Sequence, residues 1–78
     1  MNLEKLMNQI LASPNKITED DCFKILTAYG YELRKSSGSH RVYHKANSRA
    51  ITVISPKKAK YVKEVYVKEI IEVLKLGE

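Results

Sequence analysis

Two histidines set among lysines and arginines are the side chains of this 78-residue sequence best suited to act on a ligand. His40 and His44 bracket His-Arg-Val-Tyr-His, a β-rich run in which residues four apart share one strand face and lie about 13 Å from each other at ~3.3 Å per residue. That is too far for both to hold one metal ion. Glu32, Asp20 and Asp21 supply no third ligand at a workable spacing, so neither a metal site nor a cofactor is expected. The chain has no glycine-rich phosphate loop, and a Ser-His-Asp triad cannot be read from spacing because such triads assemble in space. The single cysteine, Cys22, falls in a helical apolar stripe, where packing is its ordinary use.

His40 stands apart because of its setting. It follows Gly38-Ser39, where glycine permits a tight turn and close approach of a ligand, and Arg34, Lys35, Arg41 and Lys45 surround it in sequence. A titratable group among cations suits phosphodiester chemistry. Cutting RNA requires that a 2′-hydroxyl lose a proton, that the leaving 5′-oxygen gain one, and that the added negative charge be stabilised. A histidine with a reference pKa near 6.5 serves either proton step, and lysine or arginine serves the third need. A histidine beside a turn is equally at home as a hydrogen-bonded surface residue, so the residues by themselves leave both readings open.

The charge distribution points to the ligand class. The net charge is +5, but residues 31–63 hold nine Lys and Arg against Glu32 alone, a local +8 between flanks of −1 and −2. Such a block is the footprint expected for a polyanion, because each cation that meets a phosphate releases condensed counterions. The connector Pro56-Lys57-Lys58-Ala59-Lys60-Tyr61-Val62-Lys63 adds lysines just before a helix start, where backbone N–H groups also attract phosphate. Among five tyrosines, Tyr43 and Tyr61 are placed where bases could stack on them, while Tyr29, Tyr31 and Tyr66 fit core edges. Packing is the more frequent use of any one of them.

These residues need elements to position them. Leu3, Leu6, Met7, Ile10 and Leu11 repeat at helical spacing behind Asn2 and ahead of Pro14, which predicts a helix over 3–12. Thr18 as N-cap, with Glu19, Asp20 and Asp21 in the first turn, predicts a second helix over 19–29 that buries Cys22, Ile25, Leu26 and Tyr29 and stops at Gly30. From Tyr31 the period becomes two. Tyr31, Leu33 and Lys35 alternate with Glu32 and Arg34, Ser36 to Ser39 turn the chain, His40 to Lys45 form a second strand, and Arg49 to Ile54 form a third that ends at Ser55-Pro56. Val67, Ile70, Ile71 and Leu74 predict a final helix over 64–76. The order α-α-β-β-β-α implies a two-layer α+β domain: a three-stranded antiparallel meander with helices on one face and a basic, wet surface on the other.

Length allows one domain over 1–78 and no deep private cavity. One cysteine excludes an internal disulfide, and no apolar run approaches the ~20 residues that span a bilayer, so a cytoplasmic protein without a membrane partner is expected.

The pattern over about residues 22–75 resembles the HicA family of mRNA-interferase toxins. The residues that carry it are Leu26-x-x-Tyr29-Gly30-Tyr31, the basic strand Glu32 to Lys35, Gly38-Ser39-His40-Arg41-Val42-Tyr43, the run Ala50 to Ile54 closed by Pro56, and Val67-x-x-Ile70-Ile71. The resemblance implies a fold like the double-stranded-RNA-binding domain, over a core of 18–76. It implies metal-independent cleavage of mRNA that depends on His40, with Gly38 and Ser39 as its turn. It also implies neutralisation by a HicB-like antitoxin, with a higher-order complex between the two. Arg34, Lys35, Arg41, Lys45, Lys57, Lys58 and Lys60 are the cations expected to hold RNA, single- or double-stranded. Two features depart from the family: the helix over 3–12 is extra, and Lys57-Lys58 follow Pro56 where relatives often carry a second histidine. The alternative from a different class is a non-catalytic RNA-binding module of the same fold, and a third is a protein-docking domain that uses the first helix.

Overall fold

Local signals fix where the first two helices begin. In the computed structural model, which describes residues 2–56 and 58–78, α1 spans Leu3–Ala12 and the Asn2 side chain accepts from the Lys5 N–H at 3.2 Å. Helix α2 spans Glu19–Ala28 behind a capping box: the Thr18 hydroxyl accepts from the Asp21 N–H, and the Asp21 carboxylate accepts from the Thr18 N–H, each at 3.1 Å. Two orphan donors are thereby satisfied at a helix start that also carries three carboxylates at the positive end of its dipole. Gly30, with φ of 92°, turns the chain out of α2 into the sheet.

The sheet is an antiparallel meander of β1 (Glu32–Ser37), β2 (His40–His44) and β3 (Ile51–Ile54), in the order β1-β2-β3. The connector then leads to α3 (Glu64–Leu74), so the order α-α-β-β-β-α and the two-layer α+β arrangement are as expected. The core forms where the helices meet one sheet face. Leu6 and Ile10 of α1, Cys22, Ile25 and Leu26 of α2, and Val67 and Ile70 of α3 pack with Tyr43, Ile51 and Val53 of the strands. The extra first helix therefore completes the core. Its Met7 sulfur accepts from the Tyr29 hydroxyl at 3.7 Å, and its Leu11 lies against Gly77.

Four details differ from the sequence expectation. Ser36 and Ser37, expected in the turn, extend β1 and pair with Arg41 and His40, so the turn is Gly38-Ser39 alone. Strand β1 carries a bulge at Arg34: the register passes from Leu33↔Tyr43 to Lys35↔Val42. Leu33 and Lys35 consequently lie on opposite faces, although simple alternation gives them the same one. Strand β3 starts at Ile51 rather than Arg49, because Asn47 adopts φ of 62° in a turn closed by the Ser48 N–H on the Lys45 carbonyl, and the ladder resumes only at Tyr43↔Ile51. Helix α3 stops at Leu74 because Lys75 is left-handed, at φ of 56°. The Leu76 N–H then donates back to the Ile71 carbonyl at 3.0 Å, and the Leu76 side chain is buried.

Candidate functional site

The helices cover one face of the meander and leave the other open. Strand alternation puts His40, Val42 and His44 of β2 on the open face, and the register adds Lys35 and Ser37 of β1 and Thr52 and Ile54 of β3. His40 is exposed at the first position of β2, between Ser37 and Ile54. Its mount is the two-residue turn Gly38-Ser39. Gly38 has φ of 58°, and a Cβ there would have no atom within 4 Å, so glycine is favoured by backbone conformation and not by crowding. Both carbonyls of the turn are held: the Arg41 Nη1 donates to Gly38 O at 2.9 Å, and the Ser55 N–H donates to Ser39 O at 3.0 Å.

The cations expected to hold RNA separate into groups. Lys35 is exposed on His40's own face, at the register position of Val42. At the far end of the hairpin, Arg34 pairs with Glu32 at 3.2 Å, and the Lys45 Nζ lies 5.7 Å from the Tyr31 ring centroid with its stem against Gly30. With His44, Gly30 and Ala46 they line an open depression of about 780 Å³. The connector leaves the sheet beside His40, because Ile54 is His40's register partner, and it is pinned where the Val62 N–H donates to the Ile17 carbonyl at 2.8 Å. Lys58 and Lys60 are exposed on it, with the Lys60 Nζ 5.4 Å from the Tyr61 ring centroid. Lys57 lies outside the described residues.

Arg41 goes the other way. It alternates with His40 and so belongs to the helix-facing side, where its Nη2 meets the Glu19 carboxylate at 2.8 Å. Glu19 is the partner that sequence reasoning missed. It reads as dipole compensation at the start of α2, and nothing in the spacing announces a contact across 22 positions.

Tyr43 is a correction. It does lie opposite His40, but that face is covered, and the ring is buried with its centroid 6.5 Å from that of Phe23, so no base can stack on it. Burial pushes its phenol up to about 12, with the neighbouring Cys22 and Glu19 adding to the shift. Burial likewise pushes the Cys22 thiol up to about 12, helped by Asp21 and Glu19. Cys22 is therefore held as a protonated core side chain rather than a nucleophile. Among the described residues no three His, Cys, Asp or Glu side chains converge, and no helix is long and apolar enough to cross a membrane.

Residues 20–76 match the family model described as the HicA toxin of bacterial toxin-antitoxin. No curated protein and no solved structure matches the chain. The matched span is most of the 78 residues, and the chain belongs to the HicA toxin family. It is thus a toxin of a bacterial toxin-antitoxin system, and membership implies an antitoxin as partner.

Proposed function

We propose that this HicA family member is a cytoplasmic endoribonuclease that cuts mRNA, and that His40 carries one of the two proton transfers. The observation that supports it best is the mounting of His40: exposed on an uncovered sheet face, on a turn whose two carbonyls are both held, with Lys35 on the same face and the lysine connector leaving beside it. The reaction consumes only what RNA and solvent provide. The 2′-hydroxyl loses its proton, its oxygen attacks the phosphorus, and the 5′-oxygen leaves and takes up a proton, giving a 2′,3′-cyclic phosphate and a 5′-hydroxyl. His40 serves as base or acid in this exchange and solvent completes the other transfer, since His44 is about 13 Å along the strand. Lys35, Lys58 and Lys60, with Lys57, hold the backbone and offset the transition-state charge. A HicB-like antitoxin neutralises the toxin.

The test is His40→Ala in the full chain. Expected is a loss of RNA cleavage and growth arrest by about 10²- to 10⁴-fold, the usual worth of general acid-base catalysis, at an unchanged thermal midpoint. A variant that cleaves and arrests growth like the parent overturns the assignment. A parent chain that retards RNA in gels but never cuts it indicates the non-catalytic RNA-binding module instead.

A further inference from the structure

We propose that Arg41, a cation that charge and sequence position group with the RNA ligands, is instead a positioning residue: with Glu19 it clamps the Gly38-Ser39 turn that carries His40. The inference rests on the nuclease reading of His40. Its starting point is the register, since Arg41 is paired with Ser36 and with the fully buried Val53, so its Cβ is directed toward the helices. The side chain is 22 % exposed, and its guanidinium is occupied on two sides. One nitrogen, Nη1, donates to Gly38 O at 2.9 Å and, at 3.4 Å, to His40 O. The other, Nη2, meets the Glu19 Oε1 at 2.8 Å.

The anchor is firm because Glu19 is the first residue of α2, immediately after the N-cap of the reciprocal Thr18–Asp21 box. The turn needs an anchor because Gly38 is left-handed with open space around it and no side chain of its own to hold it. The Ser55 N–H fixes Ser39 O from the β3 side, and Arg41 fixes Gly38 O from the helix side. A guanidinium has the rigid fork needed to reach a carbonyl and a carboxylate together, which a lysine ammonium at the same place does not. Releasing Gly38 O lets the turn, and His40 with it, shift relative to bound RNA, and a displacement of ~1 Å at a reacting group costs up to about 10²-fold in rate.

The experiment measures RNA cleavage, RNA affinity across a salt series, and thermal midpoint for the full chain and for Arg41→Gln, Arg41→Lys, Glu19→Ala and the exchanged pair Glu19→Arg with Arg41→Glu. Expected for Arg41→Gln is a kcat lowered about ten- to hundredfold, with KM and the slope of log affinity against log salt as in the parent. Arg41→Lys and Glu19→Ala fall between, each keeping one half of the clamp. The exchanged pair restores the ion pair but not kcat, because a carboxylate at position 41 cannot donate to Gly38 O. If Arg41→Gln instead keeps its kcat, weakens binding and lowers the slope by about 0.7–0.9, Arg41 is a phosphate ligand and the clamp is wrong. A variant unchanged in all three measurements overturns it as well. If the parent chain does not cleave RNA, the nuclease reading fails, and amide exchange at Gly38, Ser39 and His40 decides the clamp separately. Exchange at least tenfold faster in Arg41→Gln supports it, and unchanged exchange overturns it.

Discussion

The two faces of one three-stranded sheet do different work. On the helix side Tyr43, Ile51 and Val53 are buried almost completely, and on the open side His40, His44 and Lys35 are exposed, with Val42, Thr52 and Ile54 half-buried between them. Residues adjacent in the chain therefore have opposite duties. The inner face supplies the apolar burial that a 78-residue domain depends on, which leaves the outer face free of that demand. Arg41 marks the border. It is a charged residue on the inner side, accommodated at the rim by Glu19 and by the turn it holds.

The sharpest way to break this division is to remove an inner side chain. Tyr43→Ala deletes a buried aromatic from a close-packed cluster and is expected to cost about 3–5 kcal/mol, a large part of the ~4–12 kcal/mol that a chain of this length has. Denaturant titration reads it, and a loss below about 1 kcal/mol would erase the distinction between the faces. Alkaline pH probes the same interior. The Cys22 thiol, ordinarily near 9.0, and the Tyr43 phenol, ordinarily near 10.0, are both held at about 12 in the folded protein. Well below pH 9 both are protonated whether folded or not, so there they contribute no pH dependence. As pH rises further the unfolded chain loses these protons first, so stability falls by roughly 1.4 kcal/mol per unit for each group until about pH 12. Cys22→Ala should move the start of that fall up by about one pH unit, and an onset that does not move shows that the thiol is not the group responsible.

The border itself is tested at the turn. Gly38→Ala adds a methyl group into open space but forces it to φ of 58°, so the expected cost is the left-handed backbone term alone, about 1–2 kcal/mol, with Gly38→Asn costing less. Thermal melts of the two variants separate conformational cost from crowding. Equal losses for alanine and asparagine would mean that the position is limited by space.

How much of this was legible in the sequence depended on range. Asn2 and Thr18 announced helix starts because a cap is a contact over three residues, and Gly38-Ser39 announced His40's turn for the same reason. The start of β3 was missed by two residues because its pairing with β2 begins only where Tyr43 meets Ile51, and the end of α3 by two because Lys75 is left-handed, which lysine gives no sign of in its type. The bulge at Arg34 was illegible because one extra residue in β1 has meaning only against β2, and it reverses the face of everything after it. Charge and nearness in the chain group Arg41 with the RNA ligands beside His40, and only the sheet register and the contact with Glu19 put it on the other side.

The bulge gives the finest test of the two faces, through Lys35. Simple alternation from Leu33 would turn Lys35 toward the helices, whereas the register sets it beside Val42 on the side of His40. If RNA lies on that face, Lys35→Gln removes one phosphate contact: affinity falls a few-fold at low salt, and the salt slope drops by about 0.7 for single-stranded RNA. Stability should change by no more than about 0.5 kcal/mol, because the side chain is exposed. Arg41→Gln removes the same charge from the other side and is expected to leave the salt slope intact while kcat falls. Parallel salt series on the two variants thus separate a cation that meets RNA from one that holds the turn. Identical slopes for Lys35→Gln and the parent would mean that RNA does not lie on the open face.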